Sequence, residues 1–300
     1  MKTSTLCMFL LSACGNDVGA PDPGGPDANA DPFPPPAMGV QITSGPLTVD
    51  AGEQKTLCVR LDLPSATDLP VVELEQHNAG TVHHFILFRA ASAADPSVGP
   101  CPSGLFIQHP PIYPGTRDQG AFAMPDGVAI TLPAHQPLIL QLHLLNAGDQ
   151  PVVEEMRINL HSGPAGTYQK AGVVGGSNFL FQIPPHQKYT ATQRCYITNA
   201  LKLFALASHS HARTLSFDVT ANLASGPTAI YHNEMWSAPA FGHYDPAYDM
   251  GAFDWLEFSC TWFNETGSTI KYGETADDEM CMMFGYYYPA TLDVTPCLGL

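Results

Sequence analysis

Residues 138–145 read LILQLHLL, and a proline (Pro137) and an asparagine (Asn146) flank the run. An apolar run of this length with turn formers at both ends is typical of a β-strand. Because side chains alternate between the two faces of a strand, Gln141 and His143 lie on one face and leucines on the other. The run therefore predicts a strand that presents one polar face.

The same pattern of four to eight residues between turn formers recurs along the chain from residue 38 onward, and long amphipathic helices are missing. Further examples are residues 56–61, 82–88, 156–160, 179–183 and 214–219. The pattern predicts an all-β protein of two tandem antiparallel β-sandwich, jelly-roll-like domains. A Gly-Pro-Ala-Gly segment at 163–166 suggests the boundary, which gives domains 38–166 and 167–300.

Composition excludes several classes of function. The chain has 300 residues, 45% of them hydrophobic, which is enough for a real core. Its 28 acidic residues outnumber its 12 lysines and arginines, for a formal net charge of -16. Such a surface repels phosphate backbones, so a nucleic-acid partner is not expected. No apolar run is long enough to span a bilayer.

The first residues predict export. Leu11-Ser12-Ala13-Cys14 resembles a lipobox, which makes 1–14 a lipoprotein signal peptide ending at a lipidated Cys14. The alternative is an ordinary N-terminus with a chance cysteine. Residues 15–37 are almost all Gly, Pro, Asp, Asn and Ala, which predicts a disordered tether. We expect a lipid-anchored protein, periplasmic or on the cell surface, and the absence of Asp after Cys14 favours the outer membrane.

Six cysteines follow Cys7 and Cys14, and none of them forms a CxxC pair. A zinc ribbon or a thioredoxin-like site is therefore not expected. An even set in an exported chain predicts three disulfides. The six are Cys58, Cys101, Cys195, Cys260, Cys281 and Cys297.

Several of the twelve histidines lie inside apolar strands, where an unsatisfied imidazole is costly. His83 and His84 are adjacent, so both can bind one metal only if the strand twists or ends there; otherwise one is a core residue and the other a surface residue. His209 and His211 are two residues apart and share a face, which suits copper or zinc, although a hydrogen-bonded surface pair is the alternative. Met280, beside Cys281, offers a thioether suited to Cu(I), or it fills core space.

Taken together, these segments resemble the copper type II ascorbate-dependent monooxygenases, the family of dopamine β-monooxygenase and peptidylglycine α-hydroxylating monooxygenase. The resemblance runs from about Leu57 to Cys297. Its pieces occur in family order: a His-His pair (83–84), an LQxH strand (140–143), an HxH pair (209–211) and a DEMC element (278–281).

The resemblance implies two coppers facing each other across an open cleft, one on each domain. His83, His84 and His143 would hold an electron-transfer copper. His209, His211 and Met280 would hold the oxygen-binding copper and form the catalytic site. It also implies the pairs Cys58–Cys101, Cys260–Cys281 and Cys195–Cys297, and a reaction that hydroxylates an sp3 C–H bond of a small molecule with O2 and ascorbate or another one-electron reductant.

The sequence departs from the peptide-amidating members of the family at the pocket. Ala207 stands where those members have a substrate-binding arginine, and Met282 and Phe284 stand where they have an asparagine and a tyrosine. A small uncharged or apolar substrate is therefore expected. Two alternatives to an enzyme are a non-catalytic copper-binding or copper-buffering lipoprotein and a β-sandwich binding protein that has lost both metals.

Overall fold

Short β-strands build almost all of the described chain, whose structure is a computed structural model. It describes residues 31–92, 96–102, 104–116, 120–273, 275, 277–292 and 294–296. The predicted signal peptide with Cys14, and the tether up to residue 30, lie outside the described residues. Residues 35–300 form one compact unit.

The strands that pair among themselves up to residue 170 are called the first half. They are, with one single-turn helix, β1 (Gly39–Thr43), β2 (Leu47–Val49), β3 (Gln54–Asp62), β4 (Leu69–His77), β5 (Val82–Arg89), β6 (Ser97–Gly99), α1 (Leu105–Gln108), β7 (Pro111–Thr116), β8 (Phe122–Ala123), β9 (Val128–Leu132), β10 (Pro137–Leu145), β11 (Val152–Glu154), β12 (Arg157–Ser162) and β13 (Gln169–Lys170).

The strands that pair among themselves from residue 172 onward are called the second half. They are β14 (Gly172–Ser177), β15 (Gln182–Ile183), β16 (Lys188–Tyr196), β17 (Leu201–Ser210), β18 (Thr214–Leu223), β19 (Gly226–Asn233), β20 (Gly242–Met250), β21 (Trp255–Phe263), β22 (Ile270–Lys271), β23 (Cys281–Tyr288) and β24 (Val294–Pro296).

Each half has two larger sheets. In the first half one sheet has the order β1-β12-β4-β9-β13, with β8 on β4, and the other has the order β6-β3-β10-β5-β7. In the second half the orders are β20-β17-β23-β14-β24 and β16-β21-β18-β19. Almost all the pairings are antiparallel; among the described strands the parallel ones are β13 with β9 and β14 with β24. The predicted all-β, β-sandwich-like fold class is confirmed, and the division at residues 166 and 167 stays a prediction.

One predicted strand is only partly formed. Of residues 179–183, only Gln182 and Ile183 are in a strand, while Leu180 is 92% exposed. The side-chain oxygen of Asn178 accepts a hydrogen bond from the backbone N–H of Leu180. This Asx-type turn diverts the chain before the strand can start, so the prediction was wrong for residues 179–181.

Side chains of β23 pack into the first half and hold the two halves together. Tyr286 of β23 is fully buried in the core of the first half, and its hydroxyl donates to the carbonyl oxygen of Ile112 at 2.9 Å. Phe122 packs against Tyr286 and Phe241, with ring centroids 4.6 and 4.7 Å apart. These contacts set the position of the second half's first sheet relative to β5 and β10. Among the described residues, no helix is long and apolar enough to cross a membrane.

Candidate metal centre

An irregularity in one strand resolves the problem of the adjacent histidines. In the pairing of β10 with β5, His143 lies opposite His84, but Leu144 lies opposite Val82, so the register skips His83. A β-bulge of this kind breaks the alternation of faces and re-aims a side chain. His83 and His84 therefore lie near the same third histidine, although they are neighbours in sequence.

His83, His84 and His143 are brought together as the sequence predicts. One ring nitrogen of each lies within 4.8 Å of the others, and all three side chains are half-buried. The Nδ1 atoms of His143 and His84 are 3.4 Å apart, and Nε2 of His143 is 2.8 Å from the side-chain nitrogen of Gln54. We call these three histidines the first ligand group.

The second ligand group is His209, His211 and Met280. His209 lies in β17 opposite Met282 of β23, and Ser210 lies opposite Cys281. Met280 comes directly before β23, so this pairing brings it to the end of β17 where His211 follows. The rings of His209 and His211 have centroids 5.5 Å apart, and Met280 is buried in a cluster with Met282 and Phe284.

The backbone of the DEMC element fixes the tautomer of His211. Its Nδ1 lies 3.0 Å from the carbonyl oxygen of Asp278. Because a carbonyl oxygen can only accept, Nδ1 of the neutral ring carries the hydrogen, and the lone pair is on Nε2. A histidine held in this way has one nitrogen prepared for a metal.

The two ligand groups line one cavity of about 670 Å³. The rings of His84 and His209 are in edge contact, with centroids 5.0 Å apart. The resemblance implies two coppers that face each other across an open cleft; in the structure one imidazole of each group touches the other. The two rings are close because the contacts of Tyr286 with Phe122 and Ile112 hold β23, and with it β17, against the first half.

Burial keeps three of these histidines neutral: His84, His143 and His209. Desolvation, with the neighbouring imidazoles, lowers the pKa of His209 to about 3 and that of His143 to about 4. The same causes hold the pKa of His84 well below its ordinary value. Neutral imidazole is the form that binds metals, so these three side chains need not lose protons at neutral pH.

The cavity wall is mostly uncharged. Among the described residues that line it, Lys55 is the only one of the Asp, Glu, Lys and Arg class, and its ammonium is bonded to Glu53. Ala207 and Phe284 both line the cavity, and Met282 packs beside Phe284. These are the positions at which the sequence departs from the peptide-amidating pattern, and here they supply apolar surface.

Two features of the site were not predicted from the sequence. The indole of Trp236, from the loop between β19 and β20, meets the ring of His83 edge to face, with centroids 5.6 Å apart. Two fully buried carboxylates, Glu154 and Glu279, each accept hydrogen bonds from a segment beside a histidine pair. No spacing in the sequence indicates the Trp236 contact or the position of Glu154. Glu279 belongs to the DEMC element, in which only the methionine and the cysteine have a predicted role.

The disulfides agree with the predicted pairs where they are described. Cys58 is bonded to Cys101 and Cys260 to Cys281. Cys195 is also disulfide-bonded, but its expected partner, Cys297, lies outside the described residues. The Cys260–Cys281 bond ties β21 to β23 immediately after Met280.

A protein-family model matches the part of the chain that carries the second ligand group. Residues 169–299 match the model described as copper type II ascorbate-dependent monooxygenase, C-terminal domain. This segment is therefore similar to the C-terminal domain of that family. The matched segment includes His209, His211 and Met280 of the copper monooxygenase domain, and the first ligand group lies before it.

Other comparisons add no argument about fold or function. No curated protein matches this sequence. Among solved structures, the major capsid protein P2 of bacteriophage PM2 has 8% sequence identity and a TM-score of 0.31, over 83% of this chain and 97% of that one. A chain from the triple jelly roll and turret assembly of an archaeal virus has 10% identity and a TM-score of 0.25, over 87% of this chain and 62% of that one. Both likenesses are too low to carry an inference.

Proposed function

We propose that this protein is a copper-dependent monooxygenase that hydroxylates an sp3 C–H bond of a small substrate, using O2 and ascorbate or another one-electron reductant. The observation that carries the proposal is the meeting of the two ligand groups in one cavity, the second of them within a copper monooxygenase domain. The family is copper- and ascorbate-dependent.

The donor set fits copper. The first ligand group offers three imidazoles, a set that suits copper among a few other metals. The second group adds a thioether, which the hard divalent ions avoid and Cu(I) accepts. In this proposal His83, His84 and His143 hold the electron-transfer copper, and His209, His211 and Met280 hold the oxygen-binding copper. When bound, copper supplies the one-electron and O2 chemistry that side chains cannot provide.

The chain's own residues would bind the substrate and exclude water. The wall formed by Ala207, Phe284 and Trp236 offers apolar and aromatic surface to a substrate. With Lys55 already paired to Glu53, a charged substrate group would find no counter-ion among the described lining residues. A small, uncharged and largely apolar substrate fits this wall best.

The second candidate function is copper binding or buffering without turnover, which the ligand groups favour by themselves. The cavity separates the two hypotheses, because a buffer has no need for a substrate-sized apolar space beside its ligands. The experiment is oxygen consumption by the copper-loaded protein with ascorbate, measured with and without a panel of neutral apolar substrates. Consumption stimulated by a substrate, with one hydroxylated product per O2, supports the enzyme; stable Cu(I) binding without it supports the buffer.

We also propose that the protein is exported and lipid-anchored through Cys14, with its domains beyond the cytoplasm. The two disulfides support an oxidising compartment. Mass spectrometry of the protein from a membrane fraction tests the anchor. The expected N-terminal peptide begins at an acylated Cys14, and an unmodified peptide that spans residues 10–20 would contradict it.

A further inference from the structure

Glu279 is a buried carboxylate that accepts four hydrogen bonds. Its side chain is fully buried, and its two oxygens accept from the backbone N–H groups of His211 and Arg213 at 3.1 and 2.8 Å. The indole N–H of Trp262 donates to it at 3.0 Å and the hydroxyl of Thr214 at 3.4 Å. A carboxylate in such a place is stable only while these donors face it.

Two of the four donors belong to the segment that carries a predicted metal ligand. His211 follows the last residue of β17, where ladder pairing no longer holds the backbone. Its backbone N–H is held by Glu279, and its ring is held by the carbonyl oxygen of Asp278. Met280 is the next residue after Glu279. Residues 278–280 therefore both hydrogen-bond to His211 and supply the thioether.

We propose that Glu279 is a positioning residue that fixes the backbone of His211 relative to Met280, so that the second ligand group is preformed. The inference rests on the proposed function, because it assumes that this group binds copper. Partners of metal ligands commonly change metal affinity by about 10–100-fold when they are removed.

Glu154 provides the matched control within the same chain. It is also fully buried, and it accepts from the backbone N–H groups of Ala79 and Thr81 and from the Thr81 hydroxyl. Its donors lie before the first ligand group, and none of them is on a ligand residue. Replacing it removes a buried carboxylate of the same kind while leaving the segment of His211 and Met280 intact.

The test is X-ray absorption at the copper edge of the purified, reduced, copper-loaded protein, together with Cu(I) affinity. The variants are Glu279→Gln and Glu154→Gln. In Glu279→Gln one carboxylate oxygen becomes an amide N–H₂, which cannot accept. The backbone N–H groups of His211 and Arg213 donate to different oxygens, so one of them loses its acceptor and the segment shifts. We expect the copper–sulfur scattering of the wild type to be lost and the Cu(I) affinity of the second group to fall by about 10–100-fold. Copper at the first group, and the copper–sulfur signal of Glu154→Gln, should remain.

The possible outcomes distinguish a failure of the proposed oxygen-binding copper from a failure of the positioning role of Glu279. A wild-type protein without copper–sulfur scattering overturns the proposed oxygen-binding copper and this inference with it. Wild-type scattering that persists at full strength in Glu279→Gln overturns only the positioning role, as does an equal loss in Glu154→Gln. If Glu279→Gln does not fold, Glu279→Asp carries the same test, because it keeps both oxygens but moves them away from the His211 backbone.

Discussion

The two ligand groups bring three candidate metal ligands together through different local structures. The first group takes His83 and His84 from one strand and needs a β-bulge to turn both towards His143. The second group takes His209 and His211 at the natural period of a strand and adds Met280 from the start of the neighbouring strand. In the first group the pairing of β10 with β5 places the ligands. In the second group, side chains and a disulfide outside the ladder hold the last ligand.

Because of this difference, the two groups should be sensitive to substitutions in different parts of the fold. The first group is made of imidazoles only and lies within the β3-β10-β5 part of a sheet, so it depends on strand pairing. The second group depends on the short segment from Asp277 to Cys281, which is tied down by Glu279 and by the bond to Cys260. Changes in that segment should alter the copper chemistry before they alter the fold.

The largest expected effect is that of Met280→Ala. Removing the thioether leaves His209 and His211, and the domain stays stapled beside them by Cys281. We expect substrate-dependent turnover to be abolished, with copper at the first group and the circular dichroism spectrum largely unchanged. Turnover assays and copper stoichiometry check this, with Met283→Leu, a methionine on the opposite face of β23, as the control. Full activity in Met280→Ala would contradict the assignment of the oxygen-binding copper.

The two disulfides should separate stability from activity. Replacing both cysteines of either bond with alanine should cost about 2–5 kcal/mol of unfolding free energy. The Cys58–Cys101 loop is 43 residues long and the Cys260–Cys281 loop 21. In the chain-entropy picture the longer loop stabilises by about 0.6 kcal/mol more.

The effect of the two disulfides on turnover should have the opposite order from their effect on stability. Loss of Cys260–Cys281 frees β23 beside Met280, so turnover should fall further in that double mutant than in the Cys58/Cys101 double mutant at a temperature where both are folded. Denaturant unfolding and turnover, measured on the same samples, test the comparison. If the two double mutants lose the same share of turnover when they are equally stable, the Cys260–Cys281 bond is not needed to hold the Met280 segment.

The smallest expected effect concerns Trp236, the contact between the halves at the first group. Its indole lies 5.6 Å from the ring of His83, so Cu(II) bound to the first group should quench its fluorescence. Titration of the metal-free protein with Cu(II) should therefore lower the emission, and Trp236→Phe should remove most of that change. The same variant should raise the KM for an apolar substrate by about tenfold, the lower end of the effect of one lost apolar contact. Quenching that persists in Trp236→Phe would place the bound copper elsewhere.

Much of the fold could be predicted from the sequence, because strands follow short-range rules, whereas the grouping of the six ligands rests on the family resemblance. Alternation in residues 138–145 gives the strand and the face of His143, and the spacing of His209 and His211 gives their shared face. The bulge at His83 was only one of two alternatives, because a register shift depends on the partner strand. The contact between His84 and His209 depends on the packing of Tyr286 against Ile112, 174 residues apart, which no local pattern records.

The two ligand groups are proposed to divide electron storage from oxygen binding, and carbon monoxide binding to the reduced, copper-loaded variants tests that division. His143→Ala should still bind copper and CO at His209, His211 and Met280, while its steady-state turnover falls by orders of magnitude for lack of an electron store. His209→Ala should keep copper at the first group and lose CO binding. If His143→Ala loses CO and His209→Ala retains it, the roles are reversed; if each variant loses all its copper, the contact between His84 and His209 makes the two groups one site.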